Sequence, residues 1–116
     1  MAKKKLYIIY SHDNYYKIGV TTNIKARLGD LQVGNPKKLT LIELFDTGKV
    51  QAEDIEYEMQ NKFPGRKILT QGEWILFYKN EIQIIVEYIK KLIRDNQDNP
   101  EKISRHWSIR TLRQNP

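Results

Sequence analysis

Two short runs of β-branched and aromatic residues, 6–10 (LYIIY) and 15–20 (YYKIGV), stand on either side of Ser11, His12, Asp13 and Asn14. Runs of that composition read as strands, and the polar residues between them carry turn chemistry. The two strands are expected to pair as an antiparallel hairpin. Both are apolar at most positions rather than at every second one. That pattern suits a sheet covered by helices, and the rest of the chain has to supply them.

It does so with apolar residues at helical spacing. Thr22 or Asn23 is a good N-cap, and Ile24, Leu28 and Leu31 predict a short helix over residues 23–31. Gly34, Asn35 and Pro36 break it. Residues 39–45 (LTLIELF) read as a third strand, and Asp46, Thr47 and Gly48 as the next turn. Ile55, Met59 and Phe63 predict a helix over residues 50–63, stopped by Pro64 and Gly65. Residues 72–77 (GEWILF) form an apolar loop or short strand. Asn80 is then expected to cap an amphipathic helix. Its apolar stripe is Ile82, Ile85, Val86, Ile89 and Ile93, opposite Gln83, Glu87, Lys90, Lys91 and Arg94. After a polar linker, Asn99, Pro100 and Glu101 look like another helix start. The segment that follows is basic, with Lys102, Arg105, Arg110 and Arg113 around Ile103, Trp107 and Leu112. The expected fold is α+β, a small three-stranded antiparallel sheet covered by helices. It occupies residues 1–95, and residues 96–116 make a basic C-terminal helical tail.

A chain of 116 residues suits one compact domain, and its 40% apolar content can bury a small core. The net charge of +6 points to an anionic partner, most often nucleic acid, or else to solubility alone; charge by itself does not choose. With no cysteine, disulfides, thiolate zinc sites and a cysteine nucleophile are excluded. His12 and His106 lie far apart and lack metal-ligand spacing. No apolar run approaches the roughly 20 residues that span a bilayer. The basic N-terminus leads within a few residues to a polar loop, unlike a signal peptide. A soluble, intracellular protein of cytoplasm or nucleus is expected, without membrane contact, as monomer or homodimer.

Hydrolysing a phosphodiester requires a cation for the phosphoryl oxygens, a base or base relay to activate water, and a metal ion to polarise the phosphate. Magnesium keeps several waters, so one carboxylate can suffice to hold it. The chain offers Lys5-Leu6-Tyr7, a turn, Lys17-Ile18-Gly19, and Arg27 eight residues after Gly19. It continues with Val20-Thr21-Thr22-Asn23, Leu28, Leu31, Gly34-Asn35-Pro36, a helical run containing Glu56 and Phe63, and Glu73-Trp74. In order and spacing this set resembles the GIY-YIG nuclease superfamily, and its phage and viral branch in particular. The resemblance covers about two-thirds of the chain.

The resemblance implies roles. Tyr7 matches the tyrosine proposed as base or part of a base relay. Arg27 matches the arginine that stabilises phosphoryl charge, and Glu56 the sole metal carboxylate, for Mg²⁺ or Mn²⁺. Gly19 lets the backbone pass close to the site. Two positions depart from the pattern. Lys17 stands where the second motif has tyrosine, and Gln60 where many relatives carry histidine. Asn80 is the one candidate for the superfamily's late asparagine.

Each residue also has a plainer reading. Tyr7 in a hairpin is otherwise a packing aromatic. Tyr16 would replace the missing tyrosine only if the register slipped by one, which would reverse its face. Lys17 and Arg27 are otherwise solvated cations. Glu56 shares its helix with Glu53, Asp54 and Glu58. Glu73-Trp74 reads as a structural corner. Lys25, Lys37, Lys38 and Arg66, with Gly19, are the expected nucleic-acid contacts. The tail either holds DNA, docks through Trp107, or stays disordered. The expected function is a metal-dependent endonuclease of loose sequence preference acting on DNA, with RNA an open alternative. The competing expectation is an inactive nucleic-acid-binding module on the same fold.

Overall fold

The hairpin sits at the centre of the sheet. A computed structural model describes residues 3–63, 66–68, 74–101 and 103. Strand β1 (Lys5–Tyr10) pairs antiparallel with β2 (Tyr15–Thr21), with Tyr7 opposite Gly19 and Ile9 opposite Lys17. The turn between them is tight. Tyr15 N donates to His12 O at 3.0 Å, and Asp13 and Asn14 both take positive φ, 53° and 67°. Two central residues in that conformation match the twist of the strands, and Asp and Asn tolerate it better than most residues.

Helix α1 (Ile24–Gln32) follows β2, and Asn23 caps it by accepting from Ala26 N at 3.1 Å. Strand β3 (Thr40–Phe45) returns to the free side of β1, with a register shift that leaves Ile42 outside the pairing. Such a bulge on an edge strand discourages pairing with other chains. Helix α2 (Ala52–Lys62), the short strands β4 (Lys67–Ile68) and β5 (Trp74–Leu76), and helix α3 (Ile82–Asp95) complete the order.

Among the described residues the sheet therefore has five strands, in the order β3-β1-β2-β5-β4, and not the three expected. Strands of two and three residues are too short to show a periodicity in sequence. They exist because β5 pairs with Tyr15–Lys17 of β2 and β4 pairs with β5. The expected Asn80 cap is also corrected. Glu81 stands at the N-cap of α3 and makes no capping bond, because its carboxylate is taken by Tyr78 N at 2.9 Å and by Arg66.

Helices cover both faces. Leu6, Ile8, Tyr16 and Ile18 pack with Ile55 and Met59 of α2 and with Ile85, Val86 and Ile89 of α3. On the opposite face Tyr7, Ile9 and Leu39 pack under Ile24, Leu28 and Leu31. This double burial explains why β1 is apolar throughout. Past α3, Gln97 donates to Ile93 O and Thr47 O and accepts from Lys49 N, and Ile103 joins the larger core. Lys102 and the tail residues Arg105, Trp107, Arg110, Leu112 and Arg113 lie outside the described residues, as do Pro64, Gly65 and Glu73.

Candidate active site

Strand alternation sorts the motif residues by face. Tyr7, Lys17 and Gly19 share the α1 face of the hairpin, and Tyr16 points the other way. Tyr16 is 4% exposed, its ring 5.0 Å from that of Tyr10 and 6.0 Å from that of Phe77. Burial first, and Tyr10 second, raise its pKa above the ordinary phenol value. It is a core residue, and the register leaves the second-motif position to Lys17.

Tyr7 lies flat across Gly19. A Cβ on Gly19 would sit 2.5 Å from Cζ of Tyr7, closer than any side chain allows. The missing side chain thus makes room for the phenol, a specific requirement beyond close backbone passage. Helix α1 closes over the ring, and Arg27 Nε donates to Tyr7 Oη at 3.2 Å. The direction of this bond matters. The phenol oxygen accepts, so its own proton is not committed to Arg27, and the bond takes only Nε of the guanidinium. Arg27 is held in the charged form, its pKa raised first by the hydrogen bond to Tyr7, with smaller effects from Asp30 and Glu56. Tyr7 is 1% exposed, and Arg27 is half-buried.

Glu56 comes from α2, which packs against β1 and β2 from the other side of the sheet. Among the described residues, strand β5 pairs with β2 over Tyr15–Lys17. Beyond it the Ile18 carbonyl accepts from Gln60 Nε2 at 3.1 Å. Gln60 lies one helical turn after Glu56, on the same side of α2. That side meets β2 at Ile18, beside Gly19, and Glu56 acts electrostatically on Arg27. Gln60 therefore has a structural task where a histidine was the alternative. Glu58, not Glu56, is the deeply buried acid of this helix, at 6% exposure. Among the described residues no three His, Cys, Asp or Glu side chains gather to hold a metal.

Lys17 is half-buried, with Nζ 5.7 Å from the ring centroid of Trp74, its partner across β2 and β5. Read from the sequence, Trp74 was only part of a structural corner. The spacing that could have revealed it, a strand pairing with 15–17, was hidden by the brevity of β5.

The remaining cations divide. Lys25, Lys37 and Lys38 are exposed on α1 and the loop after it. Gln32 fixes that loop by donating to Asn35 O and Lys37 O and accepting from Leu39 N. Arg66 instead lies against α3, paired with Glu81 at 2.8 and 2.9 Å and near the rings of Phe63 and Tyr78.

A family model described as the T5orf172 domain matches residues 4–94. The chain belongs to the T5orf172 domain family. This is a phage-associated domain related to nuclease-type domains. The match runs from before β1 to the last turn of α3, so the T5orf172 domain contains Tyr7, Lys17, Gly19, Arg27, Glu56 and Trp74 alike. No curated protein and no solved structure matches the chain. No helix of the described residues is long and apolar enough to cross a membrane.

Proposed function

We propose that this T5orf172 domain is a metal-dependent endonuclease of the GIY-YIG type that hydrolyses DNA phosphodiester bonds. The observation that carries the reading is the Arg27–Tyr7 bond over Gly19, three motif residues from three elements meeting at one point. A structural tyrosine would need neither the glycine beneath it nor the guanidinium upon it.

The roles are those the resemblance implies, and the Arg27–Tyr7–Gly19 geometry supports them. Arg27 keeps Nε on Tyr7 and presents its two terminal nitrogens to the non-bridging oxygens of a phosphate, a bidentate arrangement suited to arginine. The phosphate then lies next to the Tyr7 hydroxyl, which relays a proton: it accepts one from the attacking water, directly or through a second water, and passes its own to solvent. Attack forms a new P–O bond, the bond to one sugar oxygen breaks, and that oxygen takes a proton from solvent water. Lys17 adds a second positive charge for the phosphate. Glu56 would hold the metal. A lone carboxylate suits a hydrated Mg²⁺ or Mn²⁺ and not zinc, which demands a fuller set of protein ligands. When bound, the ion supplies charge stabilisation at the phosphate and at the leaving oxygen.

Lys25, Lys37 and Lys38 are assigned to the flanking backbone, where contacts position without reading sequence. Arg66 is the weaker contact, because it would act while paired with Glu81. A second reading, a binding module without chemistry, is favoured by one observation: Gln60 is tied to Ile18 O, and a carboxamide cannot transfer protons as a histidine does. Supercoiled plasmid separates the two. Nicking in Mg²⁺ and none in EDTA is the expected result. Failure of folded protein to cut plasmid or branched DNA, with salt-sensitive binding retained, would establish the second reading instead.

A further inference from the structure

We propose that Trp74 is the positioning residue for the Lys17 ammonium. The proposal rests on the reading of Lys17 as a site residue. A lysine head rides on a flexible four-carbon stem and is a poor tool for holding charge at one point. Here the stem leaves a strand whose neighbours are fixed. Lys17 stands between Ile9 on one side and Trp74 on the other, all three in register. Its Nζ lies 5.7 Å from the indole centroid, within the range at which the ring quadrupole attracts a cation, and tryptophan is the strongest such ring.

Trp74 is itself held from two directions. Its ring packs with the cluster of Tyr7, Ile9 and Leu39. Its strand neighbours Ile75 and Phe77 are fully buried on the opposite face, and Phe77 N donates to Asn14 O at 2.9 Å, locking β5 to the hairpin turn. One indole therefore touches the cluster that contains Tyr7 and carries the charge of Lys17.

The test has two arms. In protein labelled with ¹³C on lysine Cε, the Lys17 signal is identified by its loss in Lys17→Met. Its methylene protons should be shifted upfield by the indole ring current, less so in Trp74→Phe and not at all in Trp74→Leu. In the second arm, Trp74→Leu should lower nicking about tenfold and Trp74→Phe less than about threefold, and Trp74→Leu should add less than about twofold in the Lys17→Met background. If the wild type cuts nothing, the same cycle is read on DNA affinity at low salt; that result sinks the nuclease reading and leaves this one to the ring current and the cycle. An unshifted Lys17 methylene in folded wild type, or an equal loss from Trp74→Leu with and without Lys17, would overturn the proposal.

Discussion

At Gly19 a single hydrogen atom decides where the phenol of Tyr7 can lie. Gly19→Ala should push the ring off the strand, costing about 1–3 kcal/mol as other overpacking changes do. Thermal unfolding reads that cost, and nicking should fall with it because Arg27 loses its partner. Tyr7→Phe separates shape from chemistry. It keeps the ring over Gly19 and removes only the acceptor of the Arg27 bond. Stability should drop by about 0.5–1.5 kcal/mol, while nicking should drop roughly 100-fold, the usual worth of a proton-transfer group. Equal nicking by Tyr7→Phe would remove the phenol from the mechanism. The positions of these residues were legible as a motif. What the sequence did not disclose was the contact itself, since nothing in the spacing of Tyr7, Gly19 and Arg27 says that one lies under and the other upon the ring.

Among the elements, the long apolar segments were readable, β5 was foreseen only as one of two readings of residues 72–77, and β4 was not foreseen. The hairpin, α1 with its Asn23 cap, β3, and the buried stripes of α2 and α3 follow from periodicity that extends over five or more residues. Strands β4 and β5 owe their existence to neighbours, so pairing and not propensity makes them. The start of α3 was misplaced for a related reason: Glu81 is drawn into a tertiary ion pair that local capping rules do not see. That pair makes a prediction about acid stability. Glu81 has its pKa lowered, first by accepting from Tyr78 N and then by Arg66. A depressed carboxylate stabilises the fold fully above its unfolded value, near pH 4.3 to 4.5, and the benefit disappears as pH falls through the lower folded value. Asp46 behaves alike, through Gly48 N and then Lys3. Thermal stability followed downward from pH 6 should therefore fall below about pH 4.5, with a shallower fall in Glu81→Gln. Identical profiles would show that the corner of β5 and α3 does not depend on this charge.

On the scale of the whole molecule, the candidate site residues come from three layers: Arg27 from α1 above the sheet, Tyr7 and Lys17 from the hairpin within it, and Glu56 from α2 below. Lys25 of α1 and Lys37 and Lys38 of the loop after it are exposed. Binding to duplex DNA should weaken steeply with salt. Replacing Lys37 and Lys38 by alanine should flatten that dependence by about one unit of slope for each lysine that no longer neutralises a phosphate. An unchanged slope would place the nucleic acid elsewhere.

The central claim is that side chains from separate layers form one catalytic centre. Its most direct test is plasmid nicking in Mg²⁺ by Arg27→Ala, Glu56→Gln and the double variant, each checked for folding and for DNA binding. Groups that act as a unit are not additive, so each single variant should lose nearly all activity and the double should lose little more. Normal nicking by either single variant, or losses that simply multiply in the double, would contradict a shared site.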